Sequence, residues 1–230
     1  MDKVIKNLVY SSREFLVQGF RNMPIIILAT LLFIGTVQAN FNYLFLATGM
    51  FLIVPTAVLL LNIISEFILP IITDNSNIWM KFSPPTCNIL SSKSVPTNIL
   101  MNVTPSYWTP IMSFFFTYMF LNAYRLYNFS LGDKSLQNET GEDARKTQSI
   151  VAMILIILIG LLFLLLRITT GCETLLGYTL GLLVGGSLAY GWHAFLMACG
   201  MGRLDDMFGI TSRILPALVN DQSQVVCTKI

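Results

Sequence analysis

Apolar residues in this chain fall in blocks, not in alternation. Residues 150–166 read IVAMILIILIGLLFLLL, and blocks of similar character cover 24–37, 43–72, 107–127 and 175–199. A hydrocarbon core about 30 Å thick takes roughly 20 helical residues to cross. Inside it, backbone groups are satisfied only within helices or closed barrels. Barrel strands would alternate apolar and polar residues over about ten positions, and none of these blocks does. The pattern predicts an all-α fold: a polytopic transmembrane helical bundle of about five spans.

The first 22 residues follow a different rule. Val4, Ile5, Leu8, Val9, Phe15, Leu16 and Phe20 recur at three-to-four spacing, while Lys3, Lys6, Arg13 and Arg21 fall on or near the other face. That is an amphipathic helix with a basic side. It predicts an interfacial helix over 1–22 whose four cations meet the membrane surface. An ordinary helix packed on its own protein is the alternative. The segment lacks the compact basic region, short apolar core and small-residue cleavage site of a signal peptide.

Breaks between blocks set the expected organisation. Pro24 is suited to opening a helix, where its missing N–H costs nothing, so two spans are expected over 23–72, the second kinked at Pro55 and carrying Asn62 and Glu66 one turn apart. Residues 73–106 scatter Pro84, Pro85, Pro96 and Pro105 among Ser, Thr and Asn, which reads as a loop outside the membrane. A third span over 107–127 has aromatic residues at both ends, as interfacial belts do. A charged loop follows over 128–149. Only RITTGCET separates the last two spans, predicting a tight antiparallel hairpin over 150–199, with an interfacial segment and tail over 200–230.

Composition agrees and adds exclusions. Hydrophobic residues make up 54% of the 230 and charged residues 11%, and the net charge of +2 is too small for the dense basic patch of a nucleic-acid binder. Cys87, Cys172, Cys199 and Cys227 form no CxxC pair, so neither a zinc site nor another cofactor is expected. Cys172 and Cys199 flank the last span and are not expected to pair with each other; a bond from Cys87 to one of the others stays open.

Charge does not orient the chain. With a cytosolic N-terminus, one side holds Lys3, Lys6, Arg13, Arg21, Lys81, Lys93 and Arg167, and the other holds Arg125, Lys134, Arg145, Lys146, Arg203, Arg213 and Lys229. An even split gives the positive-inside rule nothing to act on. The basic N-terminal helix favours a cytosolic N-terminus, which would place the Asn128 and Asn138 sequons on the far side and Asn102 on the near one.

Candidate chemistry is sparse. Within GYTLGLLVGGSLAYG, Gly177, Gly181, Gly185 and Ala189 stand four apart on one helical ridge. Glycine costs about 1 kcal/mol against alanine in a helix, yet small residues let helices approach closely in lipid. The ridge therefore reads as a helix-packing surface, for the fourth span or for another subunit; a pore lining is the lesser alternative. His193 is the sole histidine, and Ser187, six residues before it, falls on another helical face, so the two do not form a dyad. Arg167 ends the fourth span, where it can snorkel to headgroups, or pair with Glu173 at the interface. No pattern of an enzyme is present, and none is expected.

Three segments carry a resemblance: PSYWTPIMSFFFTYMFLNAYRLY at 105–127, ARKTQSIVAMILIILIGLLFLLLRITTGCETLLG at 144–177, and AYGWHAFLMACGMGRLDDMFGI at 189–210. They resemble a multi-span virion membrane protein of large nucleocytoplasmic DNA viruses. The resemblance covers about the second half of the chain and implies a structural protein of the internal membrane beneath an icosahedral capsid, next to minor capsid proteins. The expected function is to anchor or organise that membrane through the 73–106 loop and the tail. Expected partners are the lipid bilayer, other capsid or membrane proteins, and a second copy of the chain. A small oligomeric channel or transporter, with Asn62, Glu66 and His193 along a path, is the alternative, and a membrane enzyme ranks third.

Overall fold

The structure, a computed structural model, describes residues 2–37, 41–72, 106–128, 139–169, 172 and 175–199. These are almost entirely helical, with no strand among them. The helices are α1 (Asp2–Val37), α2 (Phe41–Thr48), α3 (Val54–Ile72), α4 (Trp108–Asn128), α5 (Glu139–Thr169) and α6 (Leu175–Ala198), with a π-helical turn, Gly49–Ile53, joining α2 to α3. Four stretches are long and apolar enough to cross a membrane: Gln18–Val37, Phe41–Ile64, Asp143–Thr169 and Gly177–Ala198. The chain is thus an all-α, multi-pass membrane protein. The 73–106 loop, apart from Ser106, and the 200–230 tail lie outside the described residues.

α1 corrects two expectations. Its 36 residues form one continuous rod, about 54 Å long at 1.5 Å per residue, so the segment 1–22 is not a separate helix turned into the interface. Pro24 lies inside this rod rather than opening it. A proline there removes the N–H that would bond the carbonyl four residues earlier, which leaves the Phe20 carbonyl without its helical donor. The Trp108 indole N–H of α4 donates to that oxygen across 3.2 Å. In hydrocarbon an unmet carbonyl costs several kcal/mol, so the proline fixes where α4 must sit.

Pro55 is handled differently. The Val54 N–H bonds to the Gly49 carbonyl, five residues back, making a wide turn immediately before the proline. Such π turns are one of the identifiable causes of helix distortion, and this one falls beside the residue expected to kink the span. Gly49 sits in it against the rings of Phe114 and Trp192. One turn earlier, the Trp192 indole donates to the Phe45 carbonyl across 3.1 Å.

α4 is the centre of the bundle. It packs along both α5 and α6 and also touches α1, α3 and the π turn. Trp108, Met112, Phe114, Tyr118, Asn122 and Ala123 are buried on it. α5 runs antiparallel to α4, with Arg167 near Trp108 and Phe116 against Gly160 and Phe163. α6 runs parallel to α4, with Gly181 at Thr109 and His193 at Tyr118. The expected α5–α6 hairpin is therefore not a packed pair: both helices lie along α4 and make no extended contact with each other. The reason is surface shape. The glycine face of α6 accepts the small and polar side chains of α4 more closely than it could accept the Leu/Ile surface of α5.

Candidate functional site: the α4–α6 seam and its tryptophan lock

Gly177, Gly181, Gly185 and Ala189 are all buried, and Gly181 and Gly185 meet α4 rather than α5, the expected fourth span. A methyl group added at Gly181 would stand 3.0 Å from Thr109 Cγ2 and 3.2 Å from Pro110 Cδ. At Gly185 it would run into the Pro110 carbonyl oxygen and lie 3.0 Å from the Phe114 backbone nitrogen. Here backbone meets backbone, which only glycine permits. The approach lets the Ser113 hydroxyl donate to the Leu182 carbonyl across 3.0 Å. Thr109, Ser113 and Thr117 are themselves four apart on α4, with Thr117 Oγ1 3.6 Å from the Cβ position of Gly186. The seam joins a glycine ridge to a hydroxyl ridge. Packing and interhelical hydrogen bonds of this kind are what hold membrane helices together.

The second element is Trp108, whose side chain is fully buried and not in an interfacial belt. Besides its bond to Phe20, it stacks obliquely on the Phe20 ring at 4.9 Å, and the Arg167 guanidinium lies 5.1 Å from its ring centroid. Phe20 in turn stacks on Phe163 at 5.6 Å, and Phe163 meets Phe116 at 5.9 Å. These rings tie α1, α4 and α5 together at one end of the bundle. A cation over an indole is worth about 2 kcal/mol when desolvated, and this one is desolvated: Arg167 is 1% exposed. Its Nη2 donates to the Ser106 hydroxyl across 3.2 Å. Arg167 thus turns into the protein instead of snorkelling outward. Glu173, its expected ion-pair partner, lies outside the described residues.

The other end of α4 gathers polar residues. Asn122 of α4 and Arg145 and Ser149 of α5 are buried. His193 is half-buried and meets the Tyr118 ring edge-on, 5.6 Å away. Ser187 is exposed, its hydroxyl bonded to the Val184 carbonyl of its own helix, so the structure does not bring it to His193. Asn62 is half-buried on α3; the side chain of Glu66 lies outside the described residues, as do those of Lys3, Lys6 and Arg13. Arg21 is half-buried beside Phe20. Asn128 caps the end of α4 through a bond to the Tyr124 carbonyl. Asn102 and Asn138 lie outside the described residues.

Two features escaped the sequence reading, and both left a signal. The hydroxyl ridge on α4 has the same four-residue period as the glycines. The lock is encoded by a mid-helix proline together with a tryptophan distant in sequence.

No family model, no curated protein and no solved structure matches this chain.

Proposed function

We propose that this is a structural protein of a virion's internal membrane, anchoring or organising the bilayer beneath a capsid. The observation that carries the reading is the use made of polar groups between the helices: Trp108, Trp192 and Ser113 each donate to a backbone carbonyl of another helix. Arg167 likewise bonds to Ser106. Groups spent on holding helices together suit a scaffold. The viral setting rests on the sequence resemblance of the segments 105–127, 144–177 and 189–210. Partners would be reached from outside the bundle, through the 73–106 loop and the 200–230 tail.

Purified particles test the proposal. Lysine-directed cross-linking followed by mass spectrometry should join Lys81, Lys93 or Lys229 to a capsid protein. Absence of the chain from particles, or a conductance in planar bilayers that is lost in the His193→Ala variant, would overturn it.

A further inference from the structure

At the end of the bundle opposite Trp108, three helices meet in a polar corner near the ends of their membrane stretches. Arg125 lies in the last turn of α4, Asn42 directly follows the first residue of α2, and His193 comes shortly before Ala198, where α6 ends. Each is within roughly two helical turns of a helix end, close to the depth at which a bilayer carries its phosphates.

Contacts gather these residues. The His193 ring meets Tyr118 edge-on at 5.6 Å, and Arg125 is near enough to act electrostatically on both. Tyr118, Asn122 and Arg125 follow one another at four- and three-residue steps, so they share one face of α4. Trp192, next to His193 in the chain, bonds to Phe45 of α2, and Asn42 is buried about one turn before Phe45. Asn122 is fully buried as well, whereas Arg125 and His193 are half-buried, so the corner is reached from outside.

Its remaining bonding capacity is mixed. Arg125 Nη1, His193 Nε2 and Asn122 Oδ1 are buried and make no hydrogen bond. Each of the three residues has other interactions, so these are single open atoms and not idle side chains. A guanidinium nitrogen donates, an imidazole nitrogen donates or accepts, and an amide oxygen accepts. Together they match an oxyanion with a hydroxyl beside it. Arginine bonds phosphate through strong charge-assisted hydrogen bonds, and ionisable groups at membrane depth mark functional sites.

We propose that Asn122, Arg125 and His193 form a binding site for a phosphate group that has a hydroxyl close by. Arg125 and His193 donate to the phosphate oxygens, and Asn122 accepts from the hydroxyl. An acidic phospholipid with a polyol head group has this chemistry, and so does hydrogen phosphate. The depth of the corner points to the lipid, as do two exposed apolar side chains beside it: Phe41, next to Asn42, and Met197, one turn after His193. Basic pockets between membrane helices hold such head groups. The inference is independent of the viral setting.

The test follows the thermal midpoint of the full-length protein in lipid-free micelles as short-chain phosphatidylglycerol, short-chain phosphatidylcholine or inorganic phosphate is added. A ligand of the folded state raises the midpoint saturably. Phosphatidylglycerol should do so. Phosphatidylcholine, which has the phosphate but a cation in place of the hydroxyls, should need about tenfold more, the discrimination that one hydrogen bond to a charged group supplies. A rise with inorganic phosphate equal to that with phosphatidylglycerol would support the site and assign it to the free anion. Arg125→Gln should weaken the phosphatidylglycerol response about tenfold, His193→Gln should weaken it less, and Arg21→Gln, at the Trp108 end, should leave it unchanged. Equal responses to the two lipids, no saturable rise with any of the three additions, or equal losses in Arg125→Gln and Arg21→Gln would overturn the proposal. If Arg125→Gln does not fold, the three additions to the unaltered protein still decide.

Discussion

α5 and α4 lie side by side and obey opposite rules. α5 carries the most apolar of the four candidate spans and shows most of it to the surroundings: Leu158 is 57% exposed and Leu165 59%. α4 is not among the four helices whose composition suits a membrane, yet it holds most of the large buried side chains, Trp108, Phe114 and Tyr118 among them. In water the apolar helix would be driven inside. In lipid, hydrocarbon is the solvent, so apolar side chains gain nothing by leaving it and polar groups gain by finding each other. The helix richest in hydroxyls, amides and indoles therefore becomes the centre, and the greasiest one becomes the wall.

Substitutions can break or sharpen this contrast, each read as the change in stability of the purified protein titrated with denaturing detergent in micelles. The largest effect belongs to Gly185→Leu, which sets a side chain against the α4 backbone and should cost about 3 kcal/mol, the upper range for overpacking. Gly181→Leu should follow closely, while Leu182→Ile should be mild. Unchanged stability for both glycine variants would mean that the seam does not hold α4 to α6.

Trp108→Phe comes next. It keeps an aromatic ring but removes the donor to Phe20, and leaving a buried acceptor unmet costs about 1–3 kcal/mol. Pro24→Ala restores the helical N–H, so in that background Trp108→Phe should cost about 1 kcal/mol less, a coupling that a double-mutant cycle isolates. Additive effects would show that the indole is there for packing alone. Ser113→Ala should cost about 0.6 kcal/mol, the average for an interhelical hydrogen bond in lipid. The smallest effects belong to α5. Leu158→Ala faces lipid and should stay within about 0.5 kcal/mol. Gly160→Ala, whose added methyl would lie 3.6 Å from Phe116, should be neutral or gain a few tenths of a kcal/mol from helix propensity. A large loss from Leu158→Ala would place α5 against a partner chain.

The helical class and four of the five expected spans are legible in the sequence, because block length alone excludes the alternatives; the expected third, 107–127, forms a helix that is not among the four stretches apolar enough to cross a membrane. The glycine ridge is legible too, as a surface made for close approach. Its partner is not, since glycine says how near a neighbour comes but not which neighbour. That information lies on Thr109, Ser113 and Thr117, in a helix whose modest hydropathy hides its central place. The continuity of α1 is hidden for a related reason: a proline between a basic amphipathic stretch and an apolar one reads as a start, and only the distant Trp108 makes it tolerable mid-helix. Arg167 misled because a cation at a span end can turn outward or inward, and what turns this one inward is the indole 59 positions earlier in the chain.

The bond between Trp108 and Phe20 also bears on how the molecule is made. Its two residues are 88 apart in the chain, and synthesis delivers α1 to the membrane well before α4 exists. Through that interval the proline-vacated carbonyl lacks the Trp108 donor, so α1 is an unfinished helix until α4 arrives. Trp108 then closes the account of the first span and the central helix in one contact. Truncation before residue 108 should consequently leave a first hairpin that the quality-control machinery of the membrane treats as incomplete.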